Sequence, residues 1–267
     1  MNPLIHELHY SNTNTYLIKG TEGYLLFDTG WAGTFPDFCR ACGAIGIPVQ
    51  SIRYLLISHF HPDHYGIAQE IADQGAEILV SEVQKPFLHS ADAVFEKEQG
   101  ILFVPIRDEM IRCFPVEEGR EILKEIGIEG QIIHTPGHSD DSISLCLDNG
   151  VFFVGDLNPL YELELHNGTQ TGESWKKLLQ LNPKTIYYGH AKTACIDRKM
   201  QERNGSGELF STVSSIMRLT DKGLDIEKIC RKTGAKEEFV EDVMRMYLTH
   251  RDVGVQGILD RIEIKGR

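Results

Sequence analysis

Residues 59–64 contain four side chains of the types that bind metal ions in proteins. His59 and His61 are two positions apart, so both can project to the same side of an extended segment. A proline then favours a turn, which is followed by Asp63 and His64. A zinc ion that catalyses hydrolysis binds neutral imidazoles and carboxylates and keeps one coordination position for water. These six residues are therefore predicted to contribute to two neighbouring metal sites.

Four further residues of these types follow other short apolar segments. Asp28 stands directly after the segment 24–27, His138 follows a Thr-Pro-Gly turn, and Asp156 and His190 each follow a glycine. If the apolar segments are strands of shared sheets, their ends can bring these side chains and residues 59–64 to one rim. A pair of metal ions needs about twice as many ligands as a single ion. Five strand ends could supply them.

Short apolar runs of strand length dominate most of the chain. Helical spacing between the runs predicts helices at residues 35–45, 67–74 and 175–181, the last with Glu173 and Ser174 as capping residues. This mixture indicates an α/β fold with helices packed against sheets. The predicted strands are residues 16–18, 24–27, 54–57, 78–80, 131–133, 143–147, 151–154 and 186–188.

Two regions differ from this pattern. Residues 85–130 are longer than a simple connection, and we predict an insertion that covers or lines a site. After a Gly-Ser-Gly segment at 205–207 the spacing becomes helical as far as the region around Tyr247. The outline resembles a helix-turn-helix, but an ordinary pair of packed helices has the same pattern, and we favour that second interpretation.

The composition favours a soluble globular protein. Apolar residues make up 41% of the 267 residues, yet no apolar run approaches the roughly 18 residues that span a bilayer. The N-terminus lacks a basic region followed by an apolar core, so we expect a cytoplasmic protein without a membrane partner. The formal charge of -12 disfavours nucleic acid as a partner, because phosphate backbones are bound chiefly by clustered lysine and arginine.

Over about residues 12–195, the motifs and their order resemble the metallo-beta-lactamase superfamily of hydrolases. The resemblance rests on DTG at 28–30, HxHxDH at 59–64, TPGHS at 135–139, GD at 155–156 and GH at 189–190. It implies an αββα sandwich, the metallo-beta-lactamase fold, which we assign to residues 1–204. The helical spacing after that point predicts residues 205–267 as a small helical appendage. The resemblance also implies that Asp28 orients the metal ligands. The implied ligands are His59, His61 and His138 for one metal, Asp63, His64 and His190 for the other, and Asp156 as a bridge between them.

The chemistry expected of such a site is hydrolysis. Two nearby divalent ions, zinc first with iron or manganese as alternatives, lower the pKa of bound water from about 15.7 to about 7. Asp63 is then the predicted general base that manages the proton. Within the superfamily, the chain resembles the branch of glyoxalase II and the lactonases. The expected substrates are therefore esters, thioesters, lactones or amides. His61 stands where a flavin-linked diiron relative would have glutamate, which disfavours a redox function.

Two other functions stay open on this scaffold. One is a mononuclear iron oxygenase, and the other is a metal-binding sensor that acts through the C-terminal helices. The expected partner is a small-molecule substrate, and a homodimer stays open. Tyr161 and His166 are the first candidates for substrate contact, because they follow Asp156 closely. Weaker candidates are His89, Arg107 and Arg112.

Overall fold

The computed structural model describes residues 3–97, 100–166, 168–196 and 208–249, together with residues 254, 255 and 258. In this part of the chain, the β-strands form one six-stranded and one five-stranded sheet. The first sheet follows the chain order and contains β1 (Ile5–Leu8), β2 (Thr15–Lys19), β3 (Tyr24–Phe27), β4 (Ile52–Leu56), β5 (Glu77–Ser81) and β6 (Ile111–Phe114). The second contains β7 (Gly130–His134), β8 (Ile143–Leu147), β9 (Val151–Phe153), β10 (Thr185–Tyr187) and β11 (Ala194–Cys195), in the order β11-β10-β9-β8-β7.

Strand direction brings several strand ends to common edges. β3 and β4 are parallel neighbours, with Phe27 opposite Leu56. In the second sheet β9 and β10 are parallel. β7 runs in their direction too, because it is antiparallel to β8, which is antiparallel to β9. The chain therefore leaves β3 and β4 at one edge of the first sheet, and β7, β9 and β10 at one edge of the second.

Apolar side chains from both sheets form a common core. Phe27 of β3 and Phe153 of β9 belong to one buried cluster, with their ring centroids 5.6 Å apart. Successive strand residues point to opposite faces, so Leu26 lies in a different cluster, with Phe38 of the first helix. A helical layer, two sheets and further helices agree with the predicted αββα sandwich, which is confirmed as the fold class.

Helices and helical turns connect the strands. The described α-helices of this region are α1 (Phe35–Ala44), α2 (Pro62–Tyr65), α3 (Ala68–Ala72), α4 (Asp92–Lys97), α5 (Gly119–Glu125) and α6 (Gln170–Leu179). The described 3-10 helices are Val49–Ser51, Lys85–Phe87, Asp108–Met110, Val116–Glu118 and Leu160–His166. None of the helices in the described ranges is long and apolar enough to cross a membrane.

All eight predicted strands are present, each within two residues of its predicted ends. The insertion predicted at residues 85–130 is wrong for its second half, because β6 pairs with β5 and α5 packs against β7. These elements belong to the sandwich itself. β6 was hidden by its composition: it has only four residues, and Arg112 and Cys113 interrupt its apolar pattern.

The predicted start of α6 is also wrong. The helix begins at Gln170 rather than Trp175, and its N-cap is Thr169 rather than Glu173 or Ser174. The Thr169 hydroxyl accepts the backbone N–H of Gly172 at 3.3 Å, which satisfies a donor of the first turn. Glycine is a poor helix former, so Gly172 concealed this first turn in the sequence.

A second compact unit contains Leu160–Leu165 and the described residues after Cys195. Its helices are α7 (Glu208–Asp221), α8 (Ile226–Thr233) and α9 (Glu237–Thr249). The side chain of Asp225 caps α8 by accepting the N–H of Lys228, and Gly234 ends it in the left-handed conformation. Val213, Ile229 and other apolar residues form a separate buried cluster. The domain boundary predicted at residue 204 lies outside the described residues.

Candidate metal centre

The predicted metal ligands all lie just beyond strand ends. Pro62 occupies the first position of the one-turn helix α2. A backbone N–H at this position would have no partner within the helix, so proline fits there. The candidate ligands are His59 and His61 after β4, Asp63 and His64 in α2, His138 after β7, Asp156 after β9 and His190 after β10.

Asp28 follows β3, and its side chain is completely buried. Its backbone has a φ of 59°, in the left-handed region that aspartate tolerates better than most residues. One carboxylate oxygen accepts the Ser58 N–H at 2.6 Å, and the other accepts the Ser58 hydroxyl at 2.8 Å. The second oxygen also lies 2.9 Å from Nδ1 of His64. A neutral His64 must therefore carry its hydrogen on Nδ1, which leaves the lone pair of Nε2 available to a metal.

His190 and Asp63 meet on the same side of the site. Nε2 of His190 lies 2.9 Å from Oδ2 of Asp63, which is itself 3.8 Å from Nε2 of His64. On the opposite side of the ring, Nδ1 of His190 lies 3.0 Å from the backbone oxygen of Asn12. A carbonyl oxygen can only accept, so Nδ1 donates and Nε2 faces Asp63. Asp63, His64 and His190 thus direct one ligand atom each to a common point.

The three remaining histidines among the candidate ligands, His59, His61 and His138, form a second cluster. The His59 ring centroid lies 4.4 Å from that of His61 and 4.8 Å from that of His138. Nε2 of His138 lies 3.0 Å from Nδ1 of His61. The Ser58 hydroxyl lies 3.0 Å from Nδ1 of His59, on the far side of that ring from its buried Nε2.

Asp156 lies between the two clusters. Its Oδ2 is 3.4 Å from Nε2 of His64 and 3.5 Å from Nε2 of both His138 and His190. His138 belongs to one cluster and the other two histidines to the second. A carboxylate at this position can therefore contact ions held by both clusters.

The donor atoms fit divalent metal ions. Among the described residues, five buried side-chain polar atoms lack a hydrogen-bond partner, and three of them are here: Nε2 of His59, Nε2 of His64 and Oδ1 of Asp156. Such atoms are rare in folded proteins because burial without a partner is unfavourable. Two ligands about 2.1 Å from one tetrahedral ion lie about 3.4 Å apart, close to the separations found here. Three sets converge within 4.8 Å: His59, His61 and His138; His59, His64 and Asp156; and Asp63, His64 and His190.

Burial keeps two of the histidines in the form that binds a metal. Desolvation lowers the pKa of His59 well below its ordinary value, and the neighbouring His64 lowers it further. Desolvation likewise lowers the pKa of His138, against the opposing charge of Asp156. Both imidazoles are therefore neutral near pH 7, as metal coordination requires.

The carboxylates of the site stay charged. Burial acts to raise the pKa of Asp63, but its hydrogen bond with His190 and the charge of His64 lower it to about 2. Burial acts to lower the pKa of His64, but the carboxylates of Asp28 and Asp156 outweigh it and raise this pKa to about 10. The same negative charges favour a metal cation at Nε2 of His64.

Two glycines allow the ligand loops to approach each other. A Cβ at Gly189 would lie 2.4 Å from Oδ1 of Asp156 and 2.9 Å from Cε1 of His64. Gly155 has a φ of 55°, and a Cβ there would lie 2.5 Å from the Ser58 side chain. A side chain at either position would push the ligands apart.

A sequence profile of the metallo-beta-lactamase superfamily matches residues 10–190. The match covers more than half of the chain and includes all seven candidate ligands. The chain belongs to the metallo-beta-lactamase superfamily. This superfamily is hydrolytic and typically binds divalent metals, in agreement with the His and Asp clusters described above.

Individual relatives within the superfamily are distant. A beta-lactamase-like protein 2 homolog of Drosophila melanogaster is 27% identical over 186 residues, which cover 67% of this chain and 58% of that protein. The chain thus spans less than two thirds of that relative. A probable metallo-hydrolase of Bacillus subtilis is 22% identical over 255 residues, which cover 81% of this chain and 79% of that protein.

Solved structures of the superfamily share the fold at low sequence identity. A metallo-beta-lactamase family protein of Thermus thermophilus is 18% identical, with a TM-score of 0.54 and coverage of 98% of this chain and 94% of that chain. A second structure, named TTHA1623, was solved in a di-iron-bound form. It is 22% identical, with a TM-score of 0.53 and coverage of 72% and 94%.

The described side chains among the predicted substrate residues have contacts of their own. His166 ends the 3-10 helix Leu160–His166, and its backbone oxygen accepts the Thr169 hydroxyl at 2.8 Å. The side chain of Tyr161 lies outside the described part of the structure. The weaker candidates are occupied at the surface: His89 pairs with Asp92 and Asp108, Arg107 with Asp73, and Arg112 with Glu125.

Sequence reasoning missed the residues that hold the ligands in place. Ser58 contacts Asp28 and His59, and the buried carboxylate of Asp141 accepts the N–H of Phe60 at 2.7 Å. These residue types are common in loops and carry no signal alone. The available signal was position, because Ser58 directly precedes the first ligand and residues 11–15 form a polar run that leads from β1 into the start of β2.

Proposed function

We propose that this chain is a dinuclear metallo-hydrolase that uses water to cleave an ester, thioester, lactone or amide. The observation that supports the proposal is the convergence of seven histidine and aspartate side chains, with three buried and unpartnered donor atoms among them. His59, His61 and His138 would hold one ion, and Asp63, His64 and His190 would hold the other. Asp156 would bridge the two.

Divalent ions at such a site lower the pKa of a water molecule and polarise the carbonyl oxygen of the substrate. The residues of the chain orient the reacting groups. Asp28 and the Asn12 carbonyl fix the rings of His64 and His190 by accepting from Nδ1. Asp63 is a carboxylate at neutral pH, so it can accept a hydrogen bond from the attacking water and orient it. We propose that it also takes the proton, which its low pKa permits only because the ions would lower the pKa of that water as well.

Zinc is the metal we propose, in two equivalents. Imidazole and carboxylate ligands also suit iron and manganese, and one structural relative was solved in a di-iron-bound form. Elemental analysis of protein purified without added metal tests the assignment. Two equivalents of zinc would support it, whereas a single equivalent of iron would favour the oxygenase on the same scaffold.

The reaction class is tested by a hydrolysis panel of thioesters, lactones, beta-lactams and phosphodiesters. The wild-type protein is compared with His59→Ala, and His9→Ala serves as a control because His9 contacts only Glu7 among the described ion pairs. We expect cleavage of an acyl substrate that His59→Ala loses and His9→Ala retains. Activity that survives His59→Ala unchanged would contradict the proposed site.

The role of Asp63 as general base is tested separately. Asp63→Asn keeps the shape of the side chain but removes its negative charge. Loss of a general base lowers kcat by about 10²- to 10⁴-fold. Because Asp63 is also a candidate ligand, metal content is measured on the same samples. A variant that retains both ions and the full rate would exclude Asp63 as the base.

The remaining predictions about partners come from the sequence. A small molecule is the proposed substrate, and the phosphodiesters of the panel include a test for nucleic acid, which the charge of -12 disfavours. A cytoplasmic location and a homodimer stay predictions.

A further inference from the structure

Residues 10–15, called here the loop, lie between β1 and β2 and include Thr15, the first residue of β2. The loop contacts several of the segments that carry the candidate ligands. We propose that this loop is a positioning clamp for one of the two metal-binding groups, the group of Asp63, His64 and His190. The inference rests on the proposed dinuclear centre and assigns its loop residues a selective role.

The loop holds His190 together with both of its neighbours. The Asn12 carbonyl accepts from Nδ1 of His190 at 3.0 Å. The Asn14 backbone N–H donates to the Gly189 oxygen at 2.7 Å. The Asn14 side-chain amide donates to the backbone oxygens of Tyr188 and Ala191, at 3.1 and 3.2 Å. The backbone on each side of His190 is therefore fixed by a single residue, and its ring is fixed by Asn12.

Thr13 holds Asp63 from the same loop. Its hydroxyl donates to the backbone oxygen of Asp63 at 2.7 Å and lies 3.5 Å from Oδ2 of the same residue. Only 1% of Thr13 is exposed, so water cannot easily replace this bond. Consecutive residues of one loop thus fix both members of the 2.9 Å contact between Asp63 and His190. These two ligands come from different sheets, and the loop sets their distance.

The loop is anchored to the segment after β3 as well. The hydroxyl groups of Tyr10 and Thr15 both donate to the backbone oxygen of Thr29, the latter at 2.6 Å. The N–H of Thr29 donates in turn to the backbone oxygen of His64 at 2.8 Å. Each end of the loop is therefore tied to a residue that contacts the third member of the group.

The other metal-binding group has a different support. Within the described ranges, no hydrogen bond from residues 10–15 reaches His59, His61 or His138. The Ser58 hydroxyl contacts the ring of His59, although it also lies 3.3 Å from Nδ1 of His64, and Asp141 holds the backbone of the same segment at Phe60. A substitution in the loop should therefore lower the affinity for the ion held by Asp63, His64 and His190 and leave the affinity for the other ion unchanged.

The test uses Thr13→Val, which removes the hydroxyl and keeps the size of the side chain. Thr13→Ser restores the hydroxyl. Thr34→Val is the matched control, because the Thr34 hydroxyl donates to a backbone oxygen, that of Trp31, at 2.6 Å. The metal-free proteins are titrated calorimetrically with Zn²⁺, and Co²⁺ absorption spectra report the ligand geometry of each ion.

We expect Thr13→Val to lower the affinity for one of the two ions by about 10- to 100-fold, which is the usual effect of removing a partner that orients a ligand. The affinity of Thr13→Val for the other ion should equal that of the wild type. The variants Thr13→Ser and Thr34→Val should bind both ions with wild-type affinity. Combination with ligand variants identifies the affected ion. His61→Ala leaves the ion held by Asp63, His64 and His190, and in this background Thr13→Val should lower the affinity for that ion. His190→Ala leaves the ion held by the other group, and in this background Thr13→Val should have no further effect.

Several results would overturn the clamp. One is an equal loss of affinity for both ions in Thr13→Val, and another is an unchanged affinity for both. The third is that Thr13→Val lowers the affinity for the remaining ion in the His190→Ala background as much as it does in the wild type. If Thr13→Val does not fold, Asn14→Ala gives the same measurement through the bonds on either side of His190. A wild-type protein that binds fewer than two ions would instead contradict the dinuclear centre. Two ions in the wild type with no effect of either loop variant would reject the clamp alone.

Discussion

The carboxylate of Asp28 accepts two hydrogen bonds from Ser58 and faces Nδ1 of His64. In Asp28→Asn the amide tolerates the left-handed backbone, but the negative charge and one acceptor are lost. His64 then loses the partner that fixes its tautomer. We expect Zn²⁺ affinity to fall by about 10- to 100-fold, measured by calorimetric titration. Asp148→Asn, which removes an exposed partner of Arg120, is the control and should leave the affinity unchanged.

Gly189 tests whether close approach of the loops is needed. In Gly189→Ala the new methyl group would lie within 3 Å of Asp156 and His64, so one of these ligands has to move. We expect the protein to lose most of its metal affinity. Gly43→Ala is the matched control, because no atom lies within 4 Å of a Cβ there and the residue is inside α1. That control should stabilise the fold by about 1 kcal/mol. Normal metal binding in Gly189→Ala would show that the loops can separate freely.

At the residue scale, the candidate ligands were visible in the sequence and their supports were not. His59, His61 and Asp63 stand out because such residue types rarely cluster within six positions. Thr13 and Asn14 are ordinary loop residues, and their importance comes from contacts about 50 and 175 positions along the chain. Partners so distant in sequence become neighbours only when the two sheets pack together.

Among the secondary-structure elements, buried central strands were the easiest to predict. β3 and β8 are buried at every position, so their apolar runs are unbroken. β6 lies at an edge of its sheet, where Arg112 makes surface ion pairs instead of contributing to an apolar run. Edge strands have one unpaired side and need less apolar surface, so composition alone does not identify them.

The start of α6 provides a prediction on a helix. The Thr169 hydroxyl accepts the Gly172 N–H and donates to the His166 oxygen. Thr169→Ala removes both bonds, and we expect the free energy of unfolding to fall by about 1 kcal/mol. Urea denaturation monitored by tryptophan fluorescence, to which Trp175 in α6 and Trp31 both contribute, measures the change. Thr169→Ser retains the hydroxyl and should behave as the wild type. Equal destabilisation by serine would show that the methyl group matters and the cap does not.

For the whole molecule, the chain divides into two compact units, and all seven candidate ligands belong to the first. A ligand that binds only the folded state stabilises it by about 2.7 kcal/mol at 100 times its Kd. Added Zn²⁺ should therefore slow amide hydrogen exchange around residues 57–66, 135–142, 155–157 and 188–191. Helices α7, α8 and α9 should exchange at unchanged rates, because no candidate ligand lies in them.

The metal dependence of this protection identifies its origin. His59→Ala removes a ligand from the cluster with His61 and His138, so Zn²⁺ should protect residues 57–66 and 135–142 less in this variant. Protection that extends equally into residues 208–249 would mean that metal also binds the C-terminal unit or that the two units open together. Protection confined to the four ligand segments would localise metal binding to the strand ends, where side chains far apart in sequence meet because both sheets place their ends there.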